Sequence, residues 1–386
     1  MKIGIICPKP PFPVIDGGNF ASKVLIESLS KENEVSAIIF ETDKHPFSSK
    51  SESFCNEFFQ SFSTVHLNTR ISFFGLIRSF LKGESYNLKR FTNDELKLKL
   101  LQFFEQKFDV LVLDSLYSAV EIEFIKHHFK GKIILRSHNL EFELWKRLSE
   151  KATNPIKRKL FGYFSKKIKQ KEVSIFKEVD EIWAISEADA TKITDFTSTP
   201  VFSIGIGLHT NPIEKKATIF KAFHIGGMDW MPNKESVEYI LSEIWQEDFT
   251  VPLSLVGNGT KELSSHSQNK NIQFCGRLES LNELYETHAV LVAPILSGSG
   301  IRVKILEALS YGIPCITTRL GAEGIDTAAS GIQLAENKTE FRSIINKLAS
   351  ENDLLSNLSL KAIKYMDENH SFTQITQKIN ERINSK

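Results

Sequence analysis

Short, continuously apolar runs recur along the chain, each followed by a longer stretch with helical periodicity. In the first half the runs are residues 3–7, 35–40, 110–113, 133–135 and 182–185. In the second half they are 220–225, 253–256, 272–274, 290–293 and 314–317. Helical patterns lie between them, as at 21–30 and 236–244. A strand that is apolar without alternation is buried on both faces, so strands of this kind alternating with helices predict parallel sheets covered by helices on either side. Two such series predict two doubly wound α/β domains. The break is expected within 205–212 (GIGLHTNP), where Gly, Asn and Pro cluster between strand-like runs. The expected domains are therefore 1–207 and 208–372, with a last helix over 373–386 that packs back towards the first.

Length agrees with this division, since 386 residues suit two domains of about 150–200 residues each. The formal net charge of +1 leaves no global field for nucleic acid. The four cysteines, Cys7, Cys55, Cys275 and Cys315, form no CxxC pair, and buried free thiols in a reducing compartment are expected. The opening MKIGIICPKPPFP has too short an apolar run for a signal peptide and reads as a first strand. No run of about 18 apolar residues occurs to span a membrane. A cytoplasmic protein is expected, with attachment at the inner membrane face as an extension of that reading.

The segment 297–312, SGSGIRVKILEALSYG, directly follows the strand at 290–293. Gly298 and Gly300 allow positive φ and close backbone approach. Ile301, Ile305, Leu306 and Leu309 repeat at helical spacing, so a helix is expected to start near Ile301. The exposed N–H groups of its first turn form a phosphate-binding geometry. Arg302 and Lys304 add cations at an end where the helix dipole favours acids, which points to an anionic ligand. Glu307 has two readings on these grounds: a surface ion pair with Lys304, or a carboxylate that accepts ribose hydroxyls.

The run SGSGIRVKILEALSYGIPCITTRLGAEGI resembles the donor-site region of the family 4 glycosyltransferases, which have the GT-B fold of two Rossmann-like domains facing across a cleft. PKPPFPVIDGG, RSHNLEFELW, AISEAD and FHIGGMDWMPN extend the resemblance over most of the chain. It implies a retaining, metal-independent transfer from a nucleotide diphosphate sugar, with no cofactor. The donor would sit mainly in the second domain and a saccharide, lipid-linked or protein acceptor mainly in the first. Glu307 matches the second Glu of the family's paired motif; the first is here Ser299. The Arg and Lys that the family places after the first strand of this domain are here Gly227 and Pro232, so Arg302 and Lys304 are expected to take over the diphosphate. By the same resemblance Gly17 and Gly18 approach the donor phosphates, and Arg277 lies in the loop that meets the nucleobase. Gly298, Ser299, Gly300 and Ile301 line the donor sugar and diphosphate. His138, at a strand's C-terminal edge, lies near the reacting centre as a hydrogen-bonding group to sugar or acceptor. Asp114 reads as a turn residue, and Trp230 as a ring that packs its own domain. A nucleotide-sugar epimerase and a decayed, non-catalytic transferase are the alternatives.

One region stands apart. Residues 151–171 hold eight Lys/Arg and no acid, interleaved with apolar residues, and 71–90 is a second apolar-basic stretch. An apolar stripe packed on its own domain and an anionic membrane surface are the two readings.

Overall fold

The computed structural model describes residues 1–386 except 71, 73, 76, 77, 80–82, 214–218, 299 and 386. The chain divides into two compact units. Unit 1 holds Met1–Gly207 together with Phe372–Lys386, and unit 2 holds Leu208–Ser371.

Unit 1 is built on seven strands: β1 (Lys2–Cys7), β2 (Glu34–Glu41), β3 (Ser61–His66), β4 (Val110–Asp114), β5 (Lys132–Ser137), β6 (Glu181–Ala184) and β7 (Val201–Ser203). They lie in the order β3-β2-β1-β4-β5-β6-β7, and every pairing is parallel. β4 (VLVLD) is buried along its whole length. The sheet is apolar on both faces because a hydrophobic cluster covers each of them. One contains Leu111, Leu113, Leu135 and Ile168; the other contains Ile3, Ile5, Val112 and Trp183. The helix Phe372–Asn384 belongs to the second cluster through Ile375, Ile379 and Ile383. Thr376 Oγ1 donates to Ser28 Oγ at 3.0 Å, and Arg382 pairs with Glu181 at 2.8 Å.

Unit 2 holds β8 (Ala222–Ile225), β9 (Leu253–Val256), β10 (Ile272–Gly276), β11 (Val290–Ala293), β12 (Cys315–Thr317) and β13 (Gln333–Leu334). Their order is β10-β9-β8-β11-β12-β13, again parallel throughout. In both sheets the winding reverses once, between β1 and β4 and between β8 and β11. The C-terminal edge of such a reversal is where open α/β sheets leave a crevice for ligands, because the connecting loops part there to opposite faces.

The helix Pro155–Phe176 carries the basic stretch. Its Phe164, Ile168, Ile175 and Phe176 are buried, and Trp145 meets Phe164 edge-on at 5.3 Å. The apolar stripe therefore packs on its own unit. Lys157, Arg158, Lys159, Lys166 and Lys169 stay exposed, and so does Ile156. In the stretch 71–90, Ile71, Phe73, Leu76, Ile77, Phe80, Leu81 and Lys82 lie outside the described residues. Among the described residues no helix is long and apolar enough to cross a membrane.

Candidate functional site

The floor of the unit 2 crevice is closed by His224 on β8. This side chain is fully buried, and its Nδ1 donates to the Val292 carbonyl of β11 at 2.8 Å. Burial, and the nearby Lys304 charge, push its pKa down to about 3, so it stands neutral as a staple across the reversal point. Above it, the turn after β8 meets the turn after β9. Gly257 has φ +143°, and a Cβ there would lie 2.1 Å from the Gly226 carbonyl oxygen, so only glycine lets the two turns touch.

Across the crevice, the loop after β11 carries Gly298 at φ +100° and Gly300 at φ +76°. The loop folds back on Arg302: a Cβ on Gly298 would lie 3.4 Å from the guanidinium. The helix expected from Ile301 starts instead at Val303 and runs to Ser310. Arg302 occupies the N-cap position with extended backbone (φ −93°, ψ 96°) and gives no side-chain cap, so the first-turn amides are not closed by the cap residue. Ile301 is buried beneath the loop at 7% exposure. Ser299 lies outside the described residues.

Lys304, expected as a diphosphate ligand, is held by protein groups. Its ammonium donates to the Ile225 carbonyl at 2.5 Å and to Asn233 Oδ1 at 2.8 Å. Burial, and the charge of Arg302, bring its pKa down to about 7. The reason is the short reach from the helix's first turn to the end of β8, which the notional surface position of a Lys at this spacing does not reveal. Lys304 braces the two walls of the crevice. Glu307, three residues on, is turned to Tyr285 rather than to Lys304: the Tyr285 hydroxyl bonds to it, and burial raises the carboxyl's pKa. The Tyr285 ring in turn packs on Tyr311, 4.4 Å between centroids.

Gly227 lies in the turn after β8, where its carbonyl accepts from Asn233 Nδ2 at 3.1 Å. Pro232 is in the first turn of the helix Met231–Tyr239. Trp230, expected to pack, is instead 48% exposed. Arg277 is exposed and follows β10 directly after Gly276, whose φ is +71°.

At the C-terminal edge of unit 1, His138 Nε2 lies 2.6 Å from Asp114 Oδ1. Asp114 is not a turn residue at the surface; it is fully buried at the end of β4 and also accepts from the Ser22 hydroxyl. The His138 partner and the Ser22 and Arg136 groups hold its carboxyl below the usual range against the effect of burial. An ionised carboxylate only accepts, so His138 Nε2 donates its proton in the hydrogen bond to Asp114. The backbone partner of Asp114 on β5 is Arg136, itself 2% exposed, which donates to the Gly205 carbonyl.

Beside His138 lies a second acidic group that the sequence pattern did not reveal. Glu141 accepts from Tyr117 Oη and Asn139 Nδ2, both at 2.9 Å. Glu172, thirty-one residues on and 1% exposed, accepts from the Glu141 and Phe142 amides at 3.0 and 3.1 Å and so caps the helix Glu141–Lys151. Burial and the neighbouring Glu141 raise its pKa to about 8. Gly17 and Gly18 open the helix Gly17–Leu29, whose N-cap Asp16 accepts from the Asn19 amide at 3.0 Å. Lys9 pairs with Asp16 at 2.6 Å, and a Cβ on Gly18 would lie 3.1 Å from that ammonium. Among the described residues no cluster of three His, Cys, Asp or Glu side chains has the arrangement of a metal site.

Residues 220–351 match the family described as glycosyl transferases group 1. The second unit is a group 1 glycosyltransferase domain. Around it, the whole chain has the GT-B fold. It is similar to HepE of Anabaena, solved with UDP-glucose, with a TM-score of 0.67 and 13% identity over 99% of each chain. Sucrose-phosphate synthase of Thermosynechococcus elongatus gives a TM-score of 0.71 at 14% identity, covering 99% of this chain and 98% of that one. TarM of S. aureus, solved as a mutant with fondaparinux, alpha-GlcNAc-glycerol and UDP, gives 0.68 at 12% identity over the full length of both. A curated relative, an uncharacterized 44.6 kDa protein in the cps region of Klebsiella pneumoniae, is 20% identical over 98% of both chains. The chain therefore carries a group 1 glycosyltransferase domain within a GT-B fold. Its group 1 domain contributes the loop with Gly298, Gly300 and Arg302, and Glu307 behind it.

Proposed function

We propose that this chain is a glycosyltransferase that moves a sugar from a nucleoside diphosphate sugar to a saccharide, lipid-linked saccharide or protein acceptor, with retention of anomeric configuration and without a metal ion. The observation that carries the reading is the glycine loop between β11 and the helix Val303–Ser310, with Arg302 at the helix N-cap at the reversal of the sheet. The leaving diphosphate gains negative charge as the glycosidic bond breaks, and a fixed cation with aligned amides lowers the barrier by stabilising that charge. Arg302 has this role, with Gly298 and Gly300 giving the chain room to approach the phosphates. Glu307 takes the ribose hydroxyls, with Tyr285 fixing its carboxylate. Gly227 and Arg277 border the donor on the β8 and β10 sides. Unit 1 takes the acceptor: His138 accepts a hydroxyl proton or hydrogen bond at Nδ1, oriented by Asp114 at 2.6 Å, and the Gly17–Gly18 helix start faces the same edge of that sheet.

A uridine nucleotide is the first donor class to try, because HepE and TarM were both solved with UDP. The location of the Klebsiella relative in a cps region supports a surface polysaccharide as product. The exposed lysines of the helix Pro155–Phe176 support attachment to an anionic membrane by charge rather than by insertion, since the apolar stripe is already used. Sedimentation with anionic vesicles at low salt tests this; protein left in the supernatant rejects it.

The decisive assay incubates the protein with a panel of nucleotide sugars and measures nucleotide release and the anomer formed. Turnover with retained configuration is expected for one of them. Tight donor binding with no turnover on any acceptor would favour a decayed transferase, and an inverted product would reject the stereochemistry.

A further inference from the structure

The chain has four tryptophans. Trp183 and Trp245 are fully buried, and Trp145 packs edge-on against Phe161 and Phe164 at 5.7 and 5.3 Å. Trp230 differs. It is 48% exposed, and Met231 beside it is 56% exposed. A large ring left in water forgoes the burial that the other three obtain.

The backbone that carries Trp230 is firmly held. The Met228 amide donates to the Asn258 carbonyl at 2.8 Å, and the Trp230 carbonyl accepts from the Asn233 and Lys234 amides at 3.0 and 3.1 Å. Asn233 ties the turn further, with Nδ2 on the Gly227 carbonyl and Oδ1 on the buried Lys304 ammonium. An exposed tryptophan on a loose loop needs no explanation. An exposed tryptophan on a turn braced by a buried lysine is being presented.

The turn follows β8, and the glycine loop follows β11, so the two form opposite lips of the crevice at the sheet's reversal. They are close: Pro232 Cγ lies 3.6 Å from where a Gly298 Cβ would stand. We propose that Trp230, flanked by Met231, is the platform on which the sugar ring of the donor stacks. This rests on the donor-site reading above. A pyranose has one face of C–H groups, and the electron-rich indole face attracts C–H edges. A diphosphate is excluded from that face, because the ring quadrupole repels anions as it attracts cations. Between nucleobase and sugar, the direction of the helix decides. Glu307 lies five residues beyond Arg302, about 7.5 Å along the helix axis, and so carries the ribose inward from the diphosphate. The part of the donor outward of the diphosphate, at the lip, is the sugar.

The test compares UDP with UDP-glucose, UDP-galactose and UDP-N-acetylglucosamine on the full-length protein, by calorimetry and by indole fluorescence. In the wild type the preferred nucleotide sugar should change the fluorescence beyond what UDP does, and Trp230→Phe should lose that increment while keeping affinity. Trp230→Ala should weaken the nucleotide sugar roughly 2- to 10-fold and leave UDP unchanged. A melting curve like the wild type's is expected for both variants, since the ring is exposed. Equal weakening of UDP and nucleotide sugar in Trp230→Ala would mean that the base stacks there, and no weakening of either would mean that the ring serves another surface. Both outcomes overturn the proposal while leaving the donor site in place. Failure of the wild type to bind any of the four would remove only the uridine assignment and move the same comparison to adenosine, guanosine and cytidine nucleotide sugars; failure to bind any of those as well would remove the donor-site reading itself.

Discussion

At the C-terminal edge of the first sheet, the buried Asp114 bonds to His138, Glu141 feels the same histidine, and the buried carboxyl of Glu172 caps the helix that Glu141 begins. At the corresponding edge of the second, Arg302 and Lys304 gather beside two glycines with positive φ. The strand orders are alike and so are the crevices; the chemistry at their edges is opposite in sign. The difference lies in the first residues beyond each strand, and it shows how one architecture takes on two tasks. The sheet supplies the place and the loops supply the ligand. An acidic, histidine-bearing edge suits hydroxyl groups that must be oriented or relieved of a proton. A cationic glycine edge suits phosphate. The two edges also use their buried charges differently. Asp114 is kept ionised by His138 and Ser22, whereas Lys304 is brought down to about 7 and spent on holding two walls together.

The largest expected effect breaks the acidic side. Asp114→Ala removes the partner of His138 and leaves Arg136, which is 2% exposed, beside an empty position. Uncovering one partner of a buried charged group costs about 3–5 kcal/mol, and a thermal melt should register it. Because the Asp114 carboxyl lies below its ordinary 3.8 in the fold, its contribution is present above that pH and is lost as pH falls through the folded value. Asp114→Asn keeps the shape and should lower kcat more than it raises the donor KM. If the donor KM rises and kcat stays, the His138–Asp114 pair belongs to the wrong substrate.

The next effect lies on the cationic side. Glu307→Ala should weaken UDP by about 10-fold and make UDP and 2′-deoxy-UDP bind alike, since a charged hydrogen bond to a hydroxyl is worth about 1.5–3 kcal/mol. A variant that still tells the two apart would move the ribose elsewhere.

The smallest effect sharpens the contrast between the two buried charges. A bound diphosphate beside Lys304 favours its protonated form, so donor binding takes up a proton above about pH 7. Donor affinity should therefore fall as pH rises past that point, by at most about tenfold per pH unit. Lys304→Met should flatten the dependence. A wild-type affinity that stays level from pH 6 to 9 would show that Lys304 holds its charge independently of the donor.

How far the sequence carried this account follows from what each residue's partners are. The parallel, doubly wound sheets were legible because buried strands read as unbroken apolar runs. The three strands without such a run, β3, β7 and β13, are all sheet edges, and they are only partly buried. An edge strand packs fewer neighbours and needs less apolar surface. Glu307 and Arg302 stood out because their spacing within one loop and helix is local. Asp114 did not, because its meaning depends on His138, twenty-four residues away on the next strand. Glu172 was hidden likewise, since it caps a helix that begins thirty-one residues before it. Lys304 reads from the sequence as a diphosphate ligand because nothing in its own helix shows that Ile225 and Asn233 lie within reach. Trp230 erred in the other direction: an apolar ring beside apolar Met231 reads as core, and only the fold leaves it in water.

The claim on which the account rests is that the loop before the helix Val303–Ser310 holds the diphosphate of the donor, and that Arg302 is its cation. Calorimetric titration of UDP into the full-length protein and into Arg302→Ala tests this most directly. The account predicts measurable binding to the wild type and a loss of roughly 10- to 100-fold in the variant. Equal affinity in the two proteins would contradict it.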